Sequence, residues 1–551
     1  MNAATQSPQP IKLDSVLSPS SVPQPSRLVL AAFLLIFLIA CALRTDHIGR
    51  RSLWLDEAIA ANISRGAWSQ AMVLVRGIDS APVIHPFLLY VVERAPVTAT
   101  TVRLPSMLAS VGAVLVLFLL GRIPSYGYQA AGLSALMMSV SAFQIRYAQE
   151  VREYSLAALC AALMLYALLS YTDKKGAQIP LLLCLVLAVC PLVQYGLVLL
   201  GGSVLLSLAV LALASRNRRT ILHVLIAGAS LAAGGLTSYM LTLRYQWSGL
   251  PSYLEDYFYA PGKGLLHFAV SNTHHLITGF LPGLTISVLA LAAVAVDVIL
   301  SLRRKSVSAL TILAFVSVGT VLACSILQKY PFGAIRQCIF LSPILLAYAG
   351  YSLTELSRLF PGRTKTMVFA AIACVAILSG ALQIRSQHPY AEIEDMHSVL
   401  TALNAQMLSG DVAYIYPGAV PAVDFYIRSR DPRFIYGNYH QQARQEYVPE
   451  IEAGAGPGTG RLWIVLSHVY QDEDQRILAD LGRKWKLESV LSAKGSALYL
   501  AQRRAPQPGD VAGSEASQVP LNASARGGNF WQWNLRNCDR DICRTLEASP
   551  L

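Results

Sequence analysis

Long apolar runs, broken by short polar connections, set the pattern of this chain. They recur near residues 28–43, 104–121, 129–143, 155–171, 179–193, 196–214, 221–243, 276–300, 307–327, 337–354 and 366–384. Each is close to the ~20 residues a helix needs to cross ~30 Å of hydrocarbon, so about eleven membrane spans are predicted. One further apolar stretch, Phe87–Val92 within "VIHPFLLYVVERAP" (83–96), is far too short to span and is expected in the interface as an amphipathic or re-entrant piece. Residues 44–103 then form one long first loop. From about 386 to 505 short helical patterns alternate with β-rich runs, among them "DVAYIYP" (411–417), "RLWIVLSH" (461–468) and "SALYLAQ" (496–502), which predicts a small α/β domain. Residues 1–26 are expected to be disordered, and 506–551, rich in small and polar residues, form a flexible tail. The fold class is therefore a polytopic α-helical membrane protein, its membrane domain spanning 27–385, with a soluble α/β domain after it.

Composition agrees with that pattern. Of 551 residues, 54% are hydrophobic and 14% charged, too apolar for an ordinary soluble domain. The net charge of +12 does not form a nucleic-acid-binding stripe, because the basic residues cluster in short loops between apolar runs. With the N-terminus cytoplasmic, alternate loops carry Arg122; Lys174 and Lys175; Arg216, Arg218 and Arg219; Arg303, Arg304 and Lys305; and Arg358, Arg363 and Lys365. The opposite loops hold half as many basic residues, so positive-inside counting puts the first loop and the C-terminal domain outside the cytoplasm, in a plasma (inner) membrane. Seven of nine cysteines lie in predicted spans, leaving only Cys538 and Cys543 to pair.

Ionisable residues at membrane borders are costly unless paired or wetted, which makes them functional candidates. The outer borders collect "WLDE" (Trp54–Glu57), "HP" (His85, Pro86), Arg103 of "RLPS", "QEVREY" (Gln149–Tyr154) and Arg336 of "KYPFGAIRQ". Asp56 and Glu57 read two ways: Asp56 caps an amphipathic helix, or an outer-leaflet carboxylate is placed to take a proton from an incoming hydroxyl. Arg103, Arg152 and Arg336 either snorkel and pair structurally or hold a phosphate at headgroup depth. Glu150 and Arg152 could also simply pair with each other. The aromatic-rich stretch 244–264 is an interfacial belt or a lid. His274 and His275 lack the i, i+4 spacing of helix-borne metal sites, so no metal ligand is assigned.

In order, "SLWLDEA", "HPFLLY", "RLPSMLASVGAVLVLFLLGR", "YAQEVREYSLAAL" and "YPFGAIRQCIFLSPILL" resemble the GT-C membrane glycosyltransferases, in the branch of protein O-mannosyltransferases, the lipid A aminoarabinose transferase and RgtA/B/C/D-like proteins. The resemblance covers roughly residues 28–385. It implies inverting transfer of a sugar from a polyprenyl-phosphate donor to an acceptor hydroxyl of a glycan, lipid or protein, outside the cytoplasm and beside membrane lipids. Under it Asp56 is the general base and Glu57 its acidic support; Arg103, Arg152 and Arg336 contact the donor phosphate; His85, Glu150 and Tyr154 are supporting residues. The family often has a second proline where this chain has Phe87, which lessens the weight on His85. No cofactor is implied with certainty, and a divalent metal is left open. Two other classes compete: a transporter of lipid-linked substrates, which predicts midplane charges and internal repeats, and a non-catalytic scaffold.

Overall fold

The computed structural model describes residues 24–504 apart from 78–80, 175–179, 216–217, 247–251, 261, 263, 428–430 and 438–446. The disorder expected of the first residues and the tail with Cys538 and Cys543 lie outside the described residues, except that Ser26 already caps the first helix by accepting from Val29 N–H at 3.3 Å.

Among the described residues nine helices are long and apolar enough to cross a membrane: Arg27–Thr45, Ala99–Arg122, Tyr154–Asp173, Leu197–Ala214, Arg218–Gln246, Leu284–Arg304, Ala309–Ile326, Arg336–Arg358 and Gly362–Gln387. Two of the predicted runs, 129–143 and 179–193, give shorter elements, Tyr128–Val140 and Leu181–Leu192. At ~1.5 Å per residue neither reaches across the hydrocarbon alone. The first breaks at Ser141, which is extended, before resuming as Ala142–Ala148. Backbone groups freed inside a membrane need internal partners. Buried Arg44 supplies them by donating to the carbonyls of Met138 (3.0 Å) and Ser139 (3.1 Å), while Ala142 N–H donates to Gln383 Oε1 (3.2 Å). The second ends in a tight turn through Pro191, which has no N–H to continue the ladder. The run at 276–300 is also divided: residues up to Phe280 belong to the helix Leu265–Phe280, and the spanning helix starts at Leu284 beyond Pro282 and Gly283.

Chain direction still alternates through these segments, so the first loop, residues 149–154, 328–336 and 388 onward share one end of the bundle. The basic turns, such as Arg303–Lys305, share the other. Small residues let the helices approach closely, as expected where packing replaces the hydrophobic effect between spans. A Cβ on Gly234 would stand 2.1 Å from the Ala188 carbonyl oxygen. The short helix Ile84–Val92 buries His85, Pro86 and Leu89 and exposes Phe87 and Val91, a two-sided surface suited to the interface.

Beyond the last span lies a five-stranded sheet of β1 (Val412–Ile415), β2 (Phe434–Tyr436), β3 (Arg461–Ser467), β4 (Trp485–Ala493) and β5 (Ser496–Arg503), in the order β2-β1-β3-β5-β4. The first three are mutually parallel, and β5 runs antiparallel to both of its neighbours, β3 and β4. Alternation along β3 gives each face its own core. Leu462, Ile464 and Leu466 pack with Ile477, Leu481 and Trp485 on one side. Trp463 and Val465 on the other share a core with Leu53, Ala58, Ala61, Leu89 and Val102 of the first loop and the following span. The sheet domain is thus docked directly onto the segment that carries the two acids.

Candidate active site

Asp56 and Glu57 occupy the first turn of the helix Leu55–Ile63, where the positive end of the helix dipole favours carboxylates. Asp56 is not the cap: Trp54 holds the N-cap position, extended, and no side chain of the helix closes its end. Successive helical residues point about 100° apart. That divergence separates the adjacent acids, for Glu57 turns into the protein and Asp56 toward an opening.

Glu57 is fully buried and accepts from Arg103 through both oxygens, Nε at 2.9 Å and Nη2 at 2.7 Å, and from Val151 N–H at 3.0 Å. Arg103 also donates to the carbonyls of Ile48 and Arg51 (both 2.8 Å) and Ser52 (3.0 Å). Those contacts use all five of its N–H donors. The phosphate contact expected of Arg103 therefore gives way to a bracing role, in which the side chain, fully buried at the start of its span, ties the first loop to the bundle. Glu57, equally enclosed, has no open face for an acceptor.

Asp56 and Arg336 form the partly exposed centre. Arg336 Nη1 donates to Asp56 Oδ2 at 2.7 Å, with 20% and 26% of the two side chains accessible. The guanidinium lies over Trp54 (5.5 Å) and Tyr154 (5.6 Å). Arg152, beside Glu153 at 3.3 Å, stands 5.9 Å from the same Tyr154 ring. Two guanidiniums sharing one aromatic ring repel each other, and an anion between them would relieve that repulsion.

His85 is completely buried, and neither ring nitrogen finds a hydrogen-bond partner among the described residues. Burial, reinforced by the positive charge of Arg152, pulls its pKa down to about 3, so the ring is neutral at physiological pH. Glu150 is buried 3.5 Å from Arg146, and its carboxyl is held above the ordinary range by burial and then by the charge of Glu57. Arg152 has a carboxylate beside it in Glu153, at 3.3 Å. Tyr154 sits under both arginines, with Tyr147 edge-on to it at 5.4 Å.

The candidates thus converge on one site, and further residues join it. Arg51 donates to the Gln149 carbonyl at 2.7 Å and stands 4.0 Å from Glu57; its place two residues before "LWLDE" is the only signal the sequence carries for it. Glu392, Glu394, Tyr426 and His468 approach from the sheet domain, where no local motif marks them. Among the described residues no group of three or more His, Cys, Asp or Glu side chains is arranged to hold a metal. The principal carboxylates present, Asp56 and Glu57, each face an arginine.

A bundle of apolar spanning helices with its acids on the first loop and a sheet domain over them is a fold shared with the solved structures of ArnT and of an archaeal oligosaccharyltransferase. Residues 79–236 match the family model of dolichyl-phosphate-mannose-protein mannosyltransferases. The structure is similar to ArnT from Cupriavidus metallidurans bound to undecaprenyl phosphate, at TM-score 0.51 and 14% identity over 87% of this chain and 99% of that one. Its apo form gives TM-score 0.53 and 13% identity over 86% and 97%. The archaeal oligosaccharyltransferase AglB from Archaeoglobus fulgidus, in complex with an inhibitory peptide and a dolichol-phosphate, gives TM-score 0.51 and 12% identity over 92% of this chain and 77% of that one. No curated protein matches the chain significantly by sequence.

Proposed function

We propose that this protein is an integral membrane glycosyltransferase that moves a sugar from a polyprenyl-phosphate donor to an acceptor hydroxyl on the non-cytoplasmic face, with inversion at the anomeric carbon. The observation that carries the reading is the accessible Asp56–Arg336 pair, a carboxylate and a guanidinium 2.7 Å apart in surroundings that are otherwise buried. Donors carrying lipid phosphates fit the solved relatives, whose bound molecules are undecaprenyl phosphate in one and dolichol-phosphate in another.

In this reading the donor phosphate enters between Arg336 and Arg152 over the Tyr154 ring and competes with Asp56 for Arg336. Released from its ion pair, the Asp56 carboxylate takes the proton of the acceptor hydroxyl while the oxygen attacks the anomeric carbon. The bond from that carbon to the phosphate oxygen breaks, and the electron pair leaves with the phosphate, whose growing charge the two guanidiniums stabilise. A base on one face and an anion site on the other is the arrangement that inversion needs. Glu57 and Arg103 hold the backbone from which Asp56 projects, Glu150 supports that network beside Arg51, and His85 fills the space next to Arg152 as a neutral ring.

Membranes containing equal amounts of wild type or Asp56→Asn, supplied with a panel of polyprenyl-phosphate sugars, test this directly. Wild type is expected to release polyprenyl phosphate, with the variant slower by about 10²–10⁴-fold, the usual worth of a positioned base. Equal turnover by both removes Asp56 from that role.

A further inference from the structure

The segment that delivers Asp56 is gripped from two sides. From the membrane bundle, Arg103 takes the carbonyls of Ile48, Arg51 and Ser52. From the sheet domain, side chains take the N–H groups of the same stretch. Ser52 N–H donates to both oxygens of Glu392 (3.1 Å each), Leu53 N–H to the Tyr426 hydroxyl (2.9 Å) and Leu55 N–H to Glu394 Oε2 (2.9 Å). Leu55 is the first residue of the acid helix, and the helix offers its free N–H groups no cap of its own. Glu394 closes that end from more than three hundred residues away.

Glu394 is buried, and its other oxygen lies 2.6 Å from His468 Nδ1. His468 follows the last residue of β3 in a left-handed conformation, φ 48°, with 45% of its side chain exposed. It stands at the carboxyl ends of β1 and β3, and β1 has a parallel neighbour on either side. The connections leave β1 and β3 toward opposite edges of the sheet there, where open α/β sheets hold their ligands. The hydrogen bond to Glu394 raises the imidazole pKa, with the charge of Asp56 adding a smaller contribution.

We propose that Glu394 is a positioning residue for sugar transfer: it fixes the first turn of the Asp56 helix through Leu55 N–H while its other oxygen is held by His468, so that the sheet domain completes the active site. This rests on the transferase reading above. A displacement of about 1 Å in a reacting group can cost on the order of 10²-fold in rate, so a loosened first turn affects turnover before it affects donor binding.

The test uses full-length protein carrying Glu394→Ala or Glu394→Gln, with two readouts. Backbone hydrogen exchange over residues 52–57 is expected to rise in Glu394→Ala and to stay near wild type in Glu394→Gln, whose amide oxygen still accepts from Leu55 N–H. Release of polyprenyl phosphate is expected to show kcat lowered ten-fold or more in Glu394→Ala with donor KM within two-fold of wild type, and substantial recovery in Glu394→Gln. Unchanged exchange in Glu394→Ala, or raised exchange beside an unchanged kcat, overturns the role of Glu394. Raised exchange in Glu394→Ala, with a wild type that turns over no donor of the panel, overturns the transferase reading instead.

Discussion

Glu57 and Arg103 show how little a residue's type says about its role until its surroundings are known. Both are charged residues at a membrane border, yet the structure closes them into a buried pair with every arginine donor used. Removing one partner leaves the other charge uncompensated, which typically costs about 3–5 kcal/mol. Arg103→Leu is therefore expected to lower the thermal midpoint and the yield of folded protein sharply. Arg103→Lys should recover little, because an ammonium has three donors and no planar fork. A protein that keeps wild-type stability with either substitution would refute the bracing role. His85 makes a second prediction. Its folded pKa, depressed to about 3, lies below the ordinary value of 6.5, so between those limits the unfolded chain binds a proton that the folded chain refuses. The stability it contributes is present above pH 6.5 and is lost as pH falls toward 3. Over that window the thermal midpoint of wild type is expected to fall more steeply than that of His85→Leu; parallel curves would show that His85 does not titrate this way.

At the scale of elements, apolar length and its interruptions were legible and their consequences were not. The run at 129–143 has the hydropathy of a span, and nothing in its own residues announces that Arg44 and Gln383, from two other helices, will satisfy a break at Ser141. Close helix approach is equally invisible in one segment. Gly234 reads as one small residue among many, but its missing Cβ is what admits the Ala188 carbonyl. Gly234→Ala is expected to push the helix Arg218–Ser238 away from Leu181–Val189 and lower the thermal midpoint by several degrees. Gly235→Ala, at a position open to its surroundings, should change little and serves as the control. The acid helix was readable as a helix from its first-turn carboxylates. Its cap was not, because Glu394 belongs to another domain.

For the whole molecule, the alternation of helix direction gathers the site at one end of the bundle and the basic turns at the other. The excess of Lys and Arg in those turns predicts that the basic end faces the cytoplasm. A thiol introduced at Arg50, on an otherwise cysteine-free chain in intact cells, should react with a membrane-impermeant maleimide, and one introduced at Lys305 should react only after the membrane is opened. The reverse pattern would invert the assignment and with it the side on which transfer occurs.

Periodicity and composition by themselves determined that this chain is a membrane bundle with a long first loop and a sheet domain behind it, because burying ~20 apolar residues per span is a local property of the sequence. Motif order also singled out Asp56, Glu57, Arg103, Arg152 and Arg336 as candidates, side chains that the fold brings to one end of the bundle. Only the tertiary structure decided which of two adjacent acids meets solvent, that Arg103 has every donor used within the protein, and that Glu394, held by His468, reaches the acid helix from the far domain. Those outcomes depend on which donors and acceptors meet across hundreds of residues, and hydrogen-bond saturation is a property of the packed assembly that no single segment carries.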